Sequence, residues 1–499
     1  MSRVAIRSRQ LQSFLCSSRF NLELIKFVAM PLRNLLFIAI AIAVCLVCYR
    51  TAAKNRYANL FAEAMDVVDA KSLNEIPREQ LFDAAMTGMF GELDKHSLYI
   101  SGDMYREFDE SMSQKFGGLG VFLEKDPESQ AIVVLAVVPN TPAQEAGLKS
   151  GDRIVSADGT STLELTRDEG SDLLRGDVGE ATMLAIERGE EKLELEVTRQ
   201  IISIESVVGD FRDSAGNWNY FLESNPRIGY LRLRQFGERT STEVAEALKS
   251  IDGKVDGVIV DLRQNSGGLL TSAISICDMF LGPAKEIVST QGRNRMRQNE
   301  HFSTEERIVD DDIAVVVLVN RFSASASEIV AGCLQDHERA TLIGEQSWGK
   351  GTVQNIIPVR PDVSVMKLTT ASYWRPSGKP IDRGTSGAEE SGIWGVRPDE
   401  PYKVSLSVEE VIRNERKRNL RDIETLIPVA ERASLLPILL GGTFAEPSSD
   451  TEAEGDSSGG PEEDSEVPSS TTELRDWVDP VMQRAIETLA PAASKKIAA

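Results

Sequence analysis

Histidine is scarce in this chain: three in 499 residues, at positions 96, 301 and 337. Three scattered imidazoles offer no metal constellation, and a nucleophile that relied on histidine would have few partners to draw on. Cysteine is sparse too. Two of the five lie in one apolar run and no CxxC pair lies outside that run, so no disulfide framework or thiolate metal site is expected. Cys277 and Cys333 sit in apolar helical stretches and read as small core residues. Positive charge is in deficit, with 55 Lys/Arg against 77 Asp/Glu. Residues 1–54 carry +7, so the rest carries −29 of the net −22. That acidity excludes nucleic acid as the expected partner, because phosphate binding needs a basic patch. No cofactor motif is present either.

A full-length membrane run is also missing. The apolar stretch "LLFIAIAIAVCLVCY", 35–49, has fifteen residues. That length fits a signal h-region or a signal anchor better than a comfortable span. Arg33 precedes it, and Arg50 and Lys54 follow. Basic residues before the run predict a cytoplasmic N-terminus and an extracytoplasmic (periplasmic) body, tethered to the membrane. No small-x-small cleavage site is evident, so an uncleaved single-pass anchor is favoured over export after cleavage. Met30 offers a second, typical signal start. Overall composition is that of a globular protein of two to four domains.

The pattern along the chain changes several times. Residues 55–116 carry apolar residues at three- and four-residue spacing and read as helices, followed within that stretch by a turn-like "DKHSLYIS". At 117 a glycine-rich turn, "FGGLGVFLEK", opens a β-rich segment with one helix over "TRDEGSDLLRG" and a hairpin at "RGEE". From 201 to 405 β-branched strands alternate with helices, which indicates a sheet covered on both faces. Two helical segments follow, over 406–444. Residues 445–472 hold nine Asp/Glu and no Lys/Arg or aromatic, and read as a disordered acidic linker. The chain closes, over 473–499, on one amphipathic helix with Val478, Met482, Ala485 and Leu489 on a common face.

One stretch raises a chemical question. "VNRFSASASEIVAG", 319–332, places serines at 323, 325 and 327 at a strand-to-helix turn. A helix start offers free N–H groups and partial positive charge, both useful to an oxyanion. Serine is also simply a good N-cap. Helical spacing puts Ser323 and Ser327 on one face and Ser325 roughly opposite, but does not say which face meets a cleft. No histidine is well placed as base. His301 reads as part of a polar loop, and His337 would lie roughly 18 Å away along the helix. A lysine can serve if burial lowers its pKa by roughly three units from about 10.4. Lys350, between glycines in "GEQSWGKGTVQ", is the candidate. In an extended chain Thr352 and Gln354 point the same way, so the Gln354 amide could aim the amine without adding negative charge. "DLRQNSGGLL", 261–270, supplies Gly267 and Gly268 in a loop of the same kind.

Seven motifs in order, "FGGLGV", "VVPNTPAQEAGLKSGDRIVSADG", "IGYLRLRQF", "DLRQNSGGLL", "RFSASASEIVAG", "GEQSWGKGTVQ" and "LTTASYWRPSGKPI", resemble the carboxyl-terminal processing (tail-specific) proteases. The resemblance runs from about residue 58 to 405. It implies a multidomain α/β protein with a ClpP/crotonase-like α/β protease core, an inserted PDZ domain at 117–200 and a helical N-terminal region. By resemblance Ser325 is the nucleophile, Lys350 the general base and Gln354 its orienting residue. Asp336, three turns along the serine helix, is structural support. The oxyanion donors are the backbone N–H of Ala326 and of Gly267 or Gly268. Gly118, Leu119, Gly120 and Val121 match the PDZ loop that binds a peptide's terminal carboxylate; successive N–H groups in such a turn form an anion nest beside an open strand edge. The implied activity is serine endopeptidase cleavage near the C-termini of protein or peptide substrates, without metal or cofactor. A homo-oligomer is left open. Three features depart from the family pattern: Lys95 in place of the usual proline, a long "GTSGAEESGIWGVRPDEPY", and the acidic linker. Two other readings stand beside this one. A catalytically silent PDZ scaffold would lack the intact Ser325, Lys350 and Gln354. An enoyl-thioester enzyme on the crotonase-like core would need a CoA site, and no such feature is identified.

Overall fold

Runs rich in valine and isoleucine, such as Gly257–Asp261 and Ala314–Val319, form the centre of a largely parallel sheet. The computed structural model describes residues 32–441 and 471–497, apart from 55, 214, 305, 306, 361, 362, 386 and 387. The basic N-terminus through residue 31 and all but the last two positions of the acidic segment 445–472 lie outside the described residues. Strand order in the central sheet is Val207–Val208, Asn225–Leu233, Gly257–Asp261, Ala314–Val319, Thr341–Gly344. The last four pair in parallel, with Val260 opposite Val317. One face is covered by the helices Thr240–Ile251, Leu270–Phe280 and Ala326–Asp336, whose Val244, Ile276 and Val330 are buried against Leu231, Val260 and Val317. The other face is covered by the C-terminal helix Pro480–Ile497, through Val481, Ala485 and Leu489 on Ile259, Val316 and Ile343. Both faces of the sheet are covered, as the continuous β-branched runs require.

A second sheet runs in the order Leu98–Ser101, Ser364–Trp374, Glu286–Gly292, Arg297–Phe302, and Thr352–Arg360 pairs with Ser364–Trp374. The third, Val121–Lys125, Ile132–Val137, Arg153–Ala157, Ala181–Arg188 and Glu191–Thr198, is antiparallel around its own core of Val134, Ile154, Leu184 and Ile186. The chain divides into two compact units between Met86 and Thr87. The N-terminal unit contains the helices Leu32–Lys54 and Arg56–Lys71, and Arg78 pairs with Asp66 and Asp69. Among the described residues no helix is long and apolar enough to cross a membrane.

Several expectations need correction. "DKHSLYIS" is only half a turn: Leu98–Ser101 is a strand, paired with Ser364–Trp374. His301 lies in the strand Arg297–Phe302, not in a loop; that strand is almost wholly polar and exposed, so it shows no apolar alternation. The terminal segment is two helices, Thr471–Asp476 and Pro480–Ile497. Pro480 disfavours helical geometry at Asp479 and itself starts the second helix. The Asp479 carboxylate caps that helix, accepting from the N–H of Val481 at 3.0 Å. The break changes the phase, so Val478 is exposed while Leu474, Val481, Ala485 and Leu489 are buried. Leu489 is therefore core. Truncation by Leu489→Ala should lower the unfolding free energy by about 2–5 kcal/mol in denaturant titration, whereas Val478→Ala should change it little.

Candidate active site

The loops after the neighbouring parallel strands Gly257–Asp261 and Ala314–Val319 meet at the carboxyl end of the sheet, where ligands of open α/β sheets bind. The second loop carries the three serines, and the structure separates them. Ser323 and Ser327 are fully buried. The Ser323 hydroxyl donates to the Leu262 carbonyl at 2.8 Å, and the Ser327 hydroxyl to the Asn265 carbonyl at 2.9 Å. Both point back at the first loop, although only Ser327 lies within the helix Ala326–Asp336. Ser325 is the N-cap and is half-buried, with φ 53° and ψ −113°. A non-glycine residue there stores about 1–3 kcal/mol of strain, and its surroundings must hold it in place.

Glu328 holds it. Its side chain is fully buried. One oxygen accepts from Ser325 N–H at 2.8 Å and Lys350 N–H at 2.9 Å; the other accepts from Gly349 N–H at 2.7 Å and the Ser347 hydroxyl at 2.5 Å. A single carboxylate thus joins the main chains of Ser325 and Lys350. Burial pushes its pKa up to about 7, against the lowering effect of the four donors. Sequence reasoning missed Glu328. The signal was present, because serine followed three residues later by glutamate is a capping-box pattern.

The first loop is pressed against the second. A side chain on Gly267, φ +106°, would put its Cβ 2.8 Å from Ser325 Cβ and 3.0 Å from Ala326 N. Buried Asn265 ties the two loops: its amide donates to Leu233 O at 2.8 Å, and its carbonyl accepts from Ala324 N–H at 3.0 Å. Its side-chain oxygen takes Gly267 N–H at 2.8 Å. The N–H groups of Gly268 and Ala326 have no acceptor among the described residues. Of the two glycines, Gly268 is therefore the one with a donor to offer.

Gln354 faces Thr369 across the strand pair Thr352–Arg360 and Ser364–Trp374. Its amide donates to Thr352 Oγ1 at 2.8 Å, so the two side chains share a face as expected. Asp336 forms a buried pair with Arg375, whose Nε lies 3.1 Å away, and accepts from Ser377 N–H. This ties the far end of the serine helix to the strand end, away from Ser325. His337 caps the same helix and contacts Glu286 O. His96 sits in the turn before Leu98–Ser101, and its pKa is lowered by burial first and then by the positive charges of Lys350 and Lys95. A cavity of about 460 Å³ lies away from this cleft, lined by Tyr230, Arg418, Trp477 and Met482, and no candidate catalytic residue borders it.

The glycine turn at 118–121 also has a defined geometry. Gly118 ends the strand Lys115–Gly118 and Val121 begins Val121–Lys125, an edge strand beside the helix Arg167–Leu174. The carbonyls of Leu119 and Gly120 are taken by Ala143 N–H and Val138 N–H. Their own N–H groups have no acceptor among the described residues. Gly120 has φ +82°, and a Cβ there would lie 2.4 Å from Thr141. Two N–H groups are thus offered at the end of an open strand edge.

Residues 227–401 match the family model of peptidase family S41, and residues 133–188 match that of a PDZ domain. Over 357 residues the chain is 39% identical to the carboxy-terminal-processing protease of Bartonella bacilliformis, covering 69% of this chain and 75% of the relative. Over 333 residues it is 34% identical to the carboxyl-terminal-processing protease of a Synechocystis species, covering 66% and 72%. A solved photosystem II D1 C-terminal processing protease is 25% identical, with TM-score 0.38, over 70% of this chain and 92% of that one. The chain is a serine-type peptidase with a mixed α/β core and a PDZ domain. It belongs to the carboxyl-terminal processing protease family.

Two outcomes follow from Glu328. Glu328→Gln would present an NH₂ to donors, and a shift of about 1 Å at either partner should lower kcat/KM about 10²-fold. The folded pKa, about 7, exceeds the usual 4.5, so the native state keeps a proton that the unfolded chain releases between those values. Stability of the wild type relative to Glu328→Gln should therefore fall as pH rises from about 4.5 to 7, then level off. Thermal unfolding of both proteins across that range checks the sign.

Proposed function

We propose that this peptidase cleaves proteins near their C-termini by a Ser325–Lys350 dyad, with the PDZ domain capturing the tail. The observation that carries the reading is the shared Glu328 carboxylate, which draws the main chains of Ser325 and Lys350 together opposite Gly267 and Gly268. Lys350, as neutral amine, takes the Ser325 hydroxyl proton while Oγ attacks the scissile carbonyl carbon. The resulting oxyanion accepts from the N–H groups of Ala326 and Gly268. The C–N bond breaks, and the ammonium of Lys350 returns the proton to the leaving amine. Lys350 then deprotonates a water that hydrolyses the acyl-enzyme. Gln354 aims the amine. Asp336 acts through Arg375 as support for the serine helix. The N–H groups of the turn Gly118–Val121 cap the tail's carboxylate, and the tail adds to the edge strand Val121–Lys125.

The described side chains of Leu36 to Val47 are exposed and apolar apart from Cys45, and Arg33 precedes them. We read this helix as a signal anchor holding a periplasmic body at the membrane. Mass spectrometry of the mature N-terminus, with protease protection of intact cells, tests that placement; a soluble cytoplasmic body would refute it.

Ser325→Ala and Lys350→Ala should each lower cleavage of a peptide with an apolar C-terminus by more than about 10⁴-fold, with peptide binding retained. Persistent cleavage in Ser325→Ala would refute the nucleophile. Amidating the peptide's C-terminus should weaken binding and slow cleavage; no change would refute tail capture by the glycine turn.

A further inference from the structure

An amide can face an amine with either end. Only its carbonyl helps a base, because an NH₂ facing the neutral amine would donate to the lone pair that must take the serine proton. Something must decide which end faces Lys350.

The groups behind Gln354 provide that decision. Gln354 Nε2 donates to Thr352 Oγ1 at 2.8 Å and to Thr369 Oγ1 at 3.3 Å. The Thr369 hydroxyl donates in turn to Asp94 Oδ1 at 2.8 Å. Asp94 is gripped by its own turn: Ser97 Oγ donates to it at 2.6 Å and His96 N–H at 3.0 Å. Ser97 Oγ also accepts from Thr369 N–H at 3.0 Å, closing a ring between the turn and the strand. The direction follows from the chemistry of the groups. An ionised carboxylate only accepts, so the Thr369 hydroxyl must point its proton at Asp94 and turn a lone pair to Gln354. Only the NH₂ end of the amide can use that lone pair. Gln354 Oε1 is then left facing away, with no donor among the described residues. The Asp94 carboxyl stays below its usual range: burial would raise it, but the Ser97, Thr369 and His96 hydrogen bonds outweigh that. His96, in the same turn, lies within electrostatic reach of Lys350, Lys95 and Lys367.

We propose that Asp94 and Thr369 are positioning residues that set the direction of the Gln354 amide and so keep its carbonyl for Lys350. The proposal rests on the Ser325–Lys350 reading and deepens it. It assigns a task to the "DKHS" turn, whose sequence signal was only a loop.

The test is a kinetic cycle on the full chain. Asp94→Asn is nearly isosteric, but its amide can donate to Thr369 and reverse the chain of donors. Thr369→Val removes the hydroxyl at almost constant volume. Both should lower kcat about tenfold, part of the 10²–10⁴ that general base catalysis supplies, with KM within about twofold. Thr369→Ser should keep kcat within about twofold of wild type. In a Gln354→Ala background, Thr369→Val should cost nothing further, because the residue it positions is gone. Independent losses in the cycle, or a kcat for Thr369→Val within twofold of wild type, overturn the proposal. If Lys350→Ala is inactive and the cycle shows no coupling, the relay alone fails. If Lys350→Ala remains active, the base assignment fails and the relay with it.

Discussion

Everything at the cleft hangs on one buried carboxylate. Glu328 has no solvent, and its two oxygens are shared by four donors: Ser325 N–H, Lys350 N–H, Gly349 N–H and the Ser347 hydroxyl. Once ionised the group only accepts, which suits that position, because a side chain with a donor would meet four others. Removing a carboxylate from water is costly, and four hydrogen bonds offset only part of the cost. The gain is geometric. The clamp fastens the strained N-cap at Ser325 to the glycine loop that leaves the strand Thr341–Gly344, so two loops far apart in sequence are held in register.

The clamp works only because the sheet behind it is rigid. Parallel strands Gly257–Asp261 and Ala314–Val319 are adjacent, so their following loops emerge side by side. Asn265, Ser323 and Ser327 then stitch those loops together through buried hydrogen bonds. The far face of the sheet is closed by the terminal helix. Its capping residue Asp479 pairs with Arg263, which in turn pairs with Asp261 at the end of the strand. Residues beyond the acidic segment 445–472 therefore belong to the core of the peptidase rather than to an appendage.

Much of this was legible in the sequence, for physical reasons. Buried parallel strands declare themselves through uninterrupted β-branched runs, and the reading of a sheet covered on both faces held. The serine spacing separated Ser325 from its neighbours, although the face-sharing argument assumed a helix that starts later, at Ala326. The second sheet was harder to see. Arg297–Phe302 is polar on both faces, so its pairing with Glu286–Gly292 leaves no hydrophobic signature. The terminal segment read as one helix because apolar spacing continues through it, while Pro480 resets the phase. Glu328 and Asp94 escaped attention because an acidic residue near a helix start or in a turn is ordinarily solvated. Glu328 is buried, and the bond from Thr369 to exposed Asp94 spans 275 residues; both come from tertiary contacts that no local pattern encodes.

We propose Ser325 as the nucleophile and Lys350 as the base that activates it. The most direct measurement is covalent labelling by a serine-directed fluorophosphonate, with peptide mapping of the adduct by mass spectrometry. A single adduct on Ser325 is expected, formed far more slowly in Lys350→Ala and absent in Ser325→Ala. An adduct on another serine, or equal labelling rates with and without Lys350, would contradict it.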